Sequence, residues 1–567
     1  MRDETVADRA RLTALVLARS LRGFGLAAQR PLRVLATRRS RMPERLVIAP
    51  QDIRTADPTV AADIYAGYFI FDGKAVNTHG ASPFDVDPPN EAWAASLAGF
   101  GWLRHLRAAD TALARVNARA LVGDWIAGGG RPAAATGLRP EVTARRLLSW
   151  LSQSPLILEG ADAVFYRGFI RSLTRQADAL LSAVDRGLDG APRLIALVAL
   201  CEVALCADGL ARMQRRASRL LADELGRQIL PDGGHVSRDP QALLDLLLDL
   251  LPLRQSYAAR AVAPPPPLLN AIDRMMPMVR CFRHGDGAMA LFNGMGSTRP
   301  DVLATVLAYD DARGAALHNA RYSGYQRVDA GAATLVVEAG PPPPPLFARR
   351  AHAGTLAFEF SHGAQRIVVS CGAASDAQPA AREASRATAA HSTLVLGDRS
   401  SSRFAARGRL RGLLYAGPRV VEVARSEDPE AGTALDLSHD GYARRAGTVH
   451  RRHLRLSADG TRLAGHDRLV PAEGRRMAAS PFALRFHLHP ALRTVAARHG
   501  TAALVAAPDG ARWLFEAGGL AVSIEESIFF ANPDGPRRAE QLVVHGAAPD
   551  LCEVAWTLVL ETAPGAG

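Results

Sequence analysis

Lysine is nearly missing from this 567-residue chain: Lys74 stands alone, and the other basic residues among 68 are arginine. Any surface that meets anions must therefore use planar guanidinium forks, not ammonium point charges. The formal net charge of +12 favours anionic partners such as nucleic acid, phospholipid or uronate-containing glycans. The chain is also rich in alanine, so the arginine excess reads equally as GC-rich coding, and charge alone selects none of these. Cysteine is scarce and scattered, at positions Cys201, Cys206, Cys281, Cys371 and Cys552. With an odd number and no CxxC pair, neither a disulfide framework nor a zinc ribbon is indicated, and buried free thiols are expected. No apolar run approaches the roughly 18 residues of a membrane-spanning helix. Neither GxxxxGK[ST] nor a Rossmann fingerprint occurs, so nucleotide binding of those kinds has no support and no nucleic-acid partner is expected.

What is present is enough for a large core. Hydrophobic residues make up 48% and charged residues 22%, and a chain this long exceeds the roughly 250–300 residues that one core organises. Residues 1–60 form a basic N-terminal segment that reads as helical. Arg19 and Arg22 interrupt its apolar run, so no clear signal peptide is present, and the segment suits a peripheral membrane contact. From 61 to 280 the apolar spacing is helical: Leu103, Leu106, Leu113 and Val116 recur at three-to-four intervals, as do Leu147, Leu148 and Leu151. Helices are expected over Pro192–Leu210, Ala217–Leu225 and Gln241–Leu251, broken at Gly128-Gly129-Gly130 and Pro231-Asp232-Gly233-Gly234. The run Pro264–Pro267 is expected to be a non-helical connection.

From 281 to 567 the texture is that of short strands bounded by Gly, Asp and Ser. They are expected at Ala288–Phe292, Thr334–Glu338, Thr355–Phe360, Arg366–Ser370, Phe482–Leu488, Ala502–Ala506 and Arg512–Glu516, among others. The fold expected is α+β and multidomain: an incomplete N-terminal α/α toroid followed by a C-terminal antiparallel β-sandwich.

One ordered set of motifs is more specific. His352-Ala-Gly-Thr-Leu-Ala-Phe-Glu-Phe360, followed by Gly363 and Ile367–Gly372, resembles the sandwich motif of the heparinase II/III-like family. Ala390-His391-Ser392-Thr393 and Ser323-Gly324-Tyr325 resemble two further elements of it. Asp232-Gly-Gly-His-Val-Ser-Arg-Asp-Pro240 resembles the toroid loop that faces the substrate. Phe282–Gly287, His439–Tyr442 and Arg485–Pro490 resemble an uncharacterised bacterial branch. The resemblance implies a lyase that cleaves an acidic, uronate-containing polysaccharide by β-elimination in a cleft between toroid and sandwich. It also implies the periplasm, whereas the lack of a clear signal peptide leaves the cytoplasm open.

That chemistry needs the uronate carboxylate neutralised, a base for the C5 proton and an acid for the leaving oxygen. The resemblance puts His352 at the catalytic histidine, on the strand that carries Leu356 and Phe358. It puts His235 where the carboxylate is neutralised, with Arg238 beside it as a bidentate partner. Tyr325 is a candidate acid or base because a phenol can serve both steps, a substitution of role, since the toroid tyrosine of many members is replaced here by Gln241-Ala242-Leu243. Trp102, His105, Tyr322 and His391 are candidate groove residues, although tryptophans at helical spacing are more often core. Gly354, Ser370, Cys371 and His391 stand where some members ligate a metal. One good ligand is too few, so neither a metal nor another cofactor is expected.

Two other readings stand beside the lyase. One is a catalytically weakened glycan-binding or cell-envelope protein on the same scaffold. The other is a glycoside hydrolase, for which Asp239 and Glu359 are the available carboxylates.

Overall fold

The computed structural model describes residues 43–128, 134–310, 314–375, 378–405 and 411–562. Most of the basic N-terminal segment, with the membrane contact expected of it, lies outside the described residues, as do Gly129 and Gly130. Among the described residues no helix is long and apolar enough to cross a membrane.

The helical half is built from α1 (Glu91–Gly99), α2 (Leu103–Ala109), α3 (Ala112–Ala127), α4 (Pro140–Ser152), α5 (Ala163–Asp185), α6 (Ala191–Cys206), α7 (Ala211–Gln228), α8 (Pro240–Ala259) and α9 (Pro266–Cys281). Apart from Glu202, helix α6 is apolar all round from Leu194 to Cys206, and every residue of that stretch is buried. Such a helix must sit inside others, and α4, α5, α7 and α8 surround it. By contrast α5 and α7 are amphipathic and carry arginines outward. Helix starts are set locally. Asp162 accepts from the amides of Val164 (2.9 Å) and Phe165 (2.7 Å) to open α5, a cap worth about 1 kcal/mol. Pro266 and Pro267 open α9, correcting the expectation of a non-helical connection there. A first turn has no use for the missing N–H.

The second half contains two antiparallel sheets. Among the described residues the nine-stranded sheet runs from Ser523–Phe529 through Arg537–Ala548, Ser480–Leu488, Gln365–Val369, Phe358–His362, Ala333–Glu338 and Tyr325–Ala330 to Asn319–Ala320. Leu394–Leu396 pairs with Ser480–Leu488 beside this path. The eight-stranded sheet orders Val421–Asp428, Gly432–His439, Thr448–Leu456, Arg462–Pro471, Glu553–Thr562, Arg512–Glu516, Ala502–Ala506 and Arg493–Ala497. Alternation along Thr448–Leu456 buries His450, Arg452, Leu454 and Leu456 and turns Arg451 and Arg455 to solvent. A single apolar cluster containing Leu335, Phe358, Phe486, Trp513 and Trp556 fills the space between the sheets.

Two expected strands differ from the structure. Ala288–Phe292 is irregular, holding only an isolated bridge between Arg283 and Met289. Two of its amides go to side chains, Leu291 N to Glu359 (3.0 Å) and Met289 N to Thr298 (2.8 Å), and Ala290 N goes to the Phe282 carbonyl (2.7 Å). The segment after Cys281 also packs Met289, Leu291, Phe292 and Met295 into the helical core before the first sheet strand begins. The strand expected from Thr355 starts only at Phe358, because Leu356 sits at φ 66° and the chain turns there. His352 therefore lies in a loop and not on the strand that carries Phe358.

Candidate functional site

Toroid and sandwich enclose a cleft of about 1940 Å³. Its toroid wall presents Arg54, Arg104, His105, Arg145, His235, Asp239 and Asp249, and its sandwich lip presents Phe347, Arg349, Arg350 and Arg382. The two halves are latched beside it. Asp232 accepts from the amides of Tyr322 (2.8 Å) and Ser323 (2.7 Å), tying the Asp232–Asp239 loop to the start of the sandwich. Gly233 lies at φ 85°, and a Cβ there would collide with the Arg274 carbonyl of α9. That loop cannot be built with a side chain at 233.

The loop places His235 on the cleft wall but leaves it little freedom. Gln228 Nε2 donates to the Gly190 carbonyl (3.0 Å) and to Glu224 (2.6 Å), so its Oε1 faces His235 Nε2 at 3.0 Å as an acceptor. The imidazole thus carries its proton on Nε2, and Nδ1 takes the Ser237 hydroxyl at 2.6 Å. Burial pushes the ring down to about 4. A neutral, doubly hydrogen-bonded imidazole supplies no positive charge for a uronate carboxylate. Asp239 borders the same cleft and caps α8 through the Gln241 amide (3.0 Å), with Arg350 at 3.4 Å.

Arg238, three residues on, points elsewhere. At φ 58° its side chain turns into the interface, where Nε donates to the Ser323 carbonyl (2.7 Å) and Nη2 to that of Gly324 (3.0 Å). Nη1 donates to the Pro341 carbonyl, and Glu338 lies 3.7 Å away. The guanidinium is consumed by main chain and one buried acid. The substrate fork expected of Arg238 is absent from the cleft lining, because an interdomain strut has taken the residue.

Tyr325 is fully buried between Phe282 and Phe292. Its hydroxyl donates to the Arg238 carbonyl (2.6 Å) and accepts from Asn293 (2.9 Å). Burial, then Glu338, drives the phenol far above its ordinary range. Asn293 also donates to Glu338 (3.1 Å) and accepts the His352 amide (3.0 Å). The rings of His352 and His391 meet at 3.3 Å, Nδ1 to Nε2, both buried. Burial lowers both, His391 to about 3.

The Tyr325 hydroxyl and the His352 amide thus meet at Asn293, with His391 against the His352 ring, whereas His235 faces the cleft apart from them. Sequence reasoning missed Asn293 and Glu338. The Asn293-Gly294 dipeptide, with Asn293 at φ 52°, was the available signal.

Of the groove candidates, His105 borders the cleft and accepts the Asp57 amide (2.9 Å). Burial, then Arg104, lowers its ring. Trp102 reaches the cleft edge from the core, stacked on Phe100 with its indole N–H on the Leu97 carbonyl. Tyr322 is 52% exposed and lies outside the cleft lining. Glu359 is buried, accepting from Leu291 N and Ser370 N and facing His284 at 3.2 Å, so it forms no cleft pair with Asp239. The donors do not suit a sandwich metal: Gly354 has no side chain, and among the described residues no group of three or more His, Cys, Asp or Glu is arranged to hold an ion.

The fold is a helical toroid latched to a two-sheet sandwich across an arginine-lined cleft. Residues 312–557 match the family model "Heparinase II/III-like, C-terminal". The fold is similar to that of a mutant heparan sulfate lyase from Pedobacter heparinus, with TM-score 0.65 at 15% identity over 97% of this chain and 89% of that one. A crystal structure of heparinase III aligns with TM-score 0.71 at 14% identity, over 94% and 89%. The chain belongs to the heparinase II/III-like family. Along its length it is also 33% identical, over 532 residues, to FtsZ-localized protein C of Caulobacter vibrioides (strain NA1000 / CB15N), covering 91% of this chain and 90% of that relative.

Proposed function

We propose that this chain is a catalytically weakened, binding member of the heparinase II/III-like family that works with FtsZ assemblies. The observation that supports this reading is that the residues expected to act in elimination or to hold its substrate do not converge in the cleft. Tyr325 and the His352 amide are buried on Asn293, His391 is buried against the His352 ring, Arg238 is spent on main-chain carbonyls, and His235 is held neutral between Gln228 and Ser237. Elimination requires an acid, a base and a carboxylate neutraliser converging on one reacting centre. The near full-length similarity to FtsZ-localized protein C supplies the partner.

Co-sedimentation of the purified chain with FtsZ polymers tests the proposal, alongside the position of a fluorescent fusion in dividing cells. Retention on polymers and a band at the division plane are expected. A chain that stays in the supernatant and spreads evenly through the cell refutes it.

A second reading, a lyase acting on a uronate glycan, is favoured by one observation: His235, His105 and several arginines do line an open cleft of substrate size. Incubation with a panel of uronate glycans tests it through the ultraviolet absorbance of a new C4–C5 double bond. A rise abolished by His235→Ala would place the lyase first.

A further inference from the structure

The toroid floor of the cleft contains a charged cluster whose internal pairing neither reading explains. Asp52 and Arg54 come from the segment ahead of the helices, Arg104 from α2, Arg145 from α4 and Asp249 from α8, and all of them line the cleft. The Asp249 side chain is 1% exposed. Arg54 Nη2 and Arg145 Nη1 both donate to its Oδ1, each at 2.6 Å, while Oδ2 is buried with no partner. Arg104 approaches Asp52 through Nη1 at 3.9 Å, and its Nε is likewise buried with no partner. One orphaned acceptor and one orphaned donor therefore stand on the same wall, each belonging to an ionised group. Buried groups of that kind are normally satisfied, and leaving them unmade is expensive.

We infer that this floor is a subsite for a phosphate-class oxyanion, one that accepts from Arg104 and donates its remaining hydroxyl to Asp249. Three guanidiniums gathered about Asp52 and Asp249 supply the attraction. Asp245, the next acid along α8, is occupied by Gln241 at 3.0 Å and acts least on Arg54. Burial, then crowding by Arg54, Arg299 and Arg145 against the help of Asp52, holds Arg104 below its ordinary value. An anion relieves that crowding; a water molecule does not. The hydroxyl decides among anions. A carboxylate or a sulfate only accepts at neutral pH, so it would set its oxygens against Asp249, which Arg145 and Arg54 keep ionised in spite of its burial. Hydrogenphosphate, or the monoanion of a phosphate monoester, meets both needs. The inference does not depend on the FtsZ reading, and either can fail without the other.

Titration calorimetry on the full chain at pH 5.5 tests it. There a phosphate monoester keeps its last proton, since the second pKa is about 6. Inorganic phosphate and glycerol phosphate are expected to bind at least about tenfold more tightly than sulfate, the worth of one charge-assisted hydrogen bond. Arg104→Gln should lose the phosphate heat. Asp249→Asn, which offers an N–H in place of the acceptor, should erase the preference over sulfate. Should Asp249→Asn fail to fold, Arg104→Gln and the phosphate-to-sulfate ratio of the unaltered chain still decide. Flotation with phosphatidylcholine vesicles containing phosphatidic acid separates a headgroup from a free ester: retention that Arg104→Gln abolishes assigns the headgroup. Sulfate binding as tightly as phosphate, glucuronate binding more tightly than either, or no heat with any phosphate each overturns the subsite.

Discussion

Replacing Arg238 with alanine separates an interdomain strut from a substrate fork. In the folded chain the guanidinium donates to the carbonyls of Ser323, Gly324 and Pro341 and lies 3.7 Å from Glu338, itself buried. Truncation strands those carbonyls and leaves Glu338 without its cation. Burial already pushes the Glu338 carboxyl up, with Arg238 and the Asn293 hydrogen bond opposing it. Breaking a buried pair by removing one partner costs about 3–5 kcal/mol, whereas an exposed groove arginine costs within about 0.5 kcal/mol. At about 2–4 °C per kcal/mol for a unit of 150–250 residues, the melting midpoint should fall by about 6–20 °C. Thermal unfolding followed by tryptophan fluorescence reads this directly. Arg238→Lys should recover little, because one ammonium cannot span carbonyls that the planar fork reaches together. A midpoint unchanged by Arg238→Ala, with ligand binding to the cleft weakened, would show that the side chain faces substrate and that the strut argument is wrong.

Glu202 lies in α6 with its carboxyl pushed up to about 7, first by burial and also by Asp249, against the Cys206 thiol that faces it. A raised acid contributes stability below its unfolded value and loses it as pH rises through the folded one. Glu202→Gln should therefore change little at pH 5 and stabilise by about 3 kcal/mol at pH 8, read as the pH dependence of the urea midpoint; equal effects at both pH values would contradict the burial argument. Gly233→Ala combines a left-handed backbone with a collision against the Arg274 carbonyl. It should destabilise by more than about 1 kcal/mol, measured by the same unfolding curve. In the sandwich core Asp467 accepts from Arg452 (2.7 Å), His450 (2.7 Å) and Trp556 (2.9 Å). Asp467→Ala strands the buried arginine and should cost about 3–5 kcal/mol, with near-ultraviolet circular dichroism reporting the loss of Trp556 packing.

The sequence alone determined the architecture, because periodicity is a local property. Apolar residues at three-to-four spacing wrap one face of a helix, and alternation selects one face of a strand, whatever the chain does elsewhere. The motif order from Asp232 to Pro490 added the family. Some particulars escaped. Pro266 and Pro267 open a helix where they were expected to prevent one, since proline forbids helix interiors and not first turns. The strand expected to carry His352 forward to Phe358 is interrupted at Leu356, whose positive φ no residue pattern announced. Only the tertiary structure decided where the motif side chains point. Arg238 and His235 are neighbours in one loop, yet one turns into the interface and the other borders the cleft. Arg54, Arg104, Arg145 and Asp249 lie far apart in the chain and meet on one wall. The physical reason is that a motif records which groups are available, while their charge state and access depend on burial and on partners distant in sequence. The near-absence of lysine sharpened into a structural fact in the same way: the arginines hold carbonyls at the domain interface and share a carboxylate in the cleft, and only the fold decides which does which.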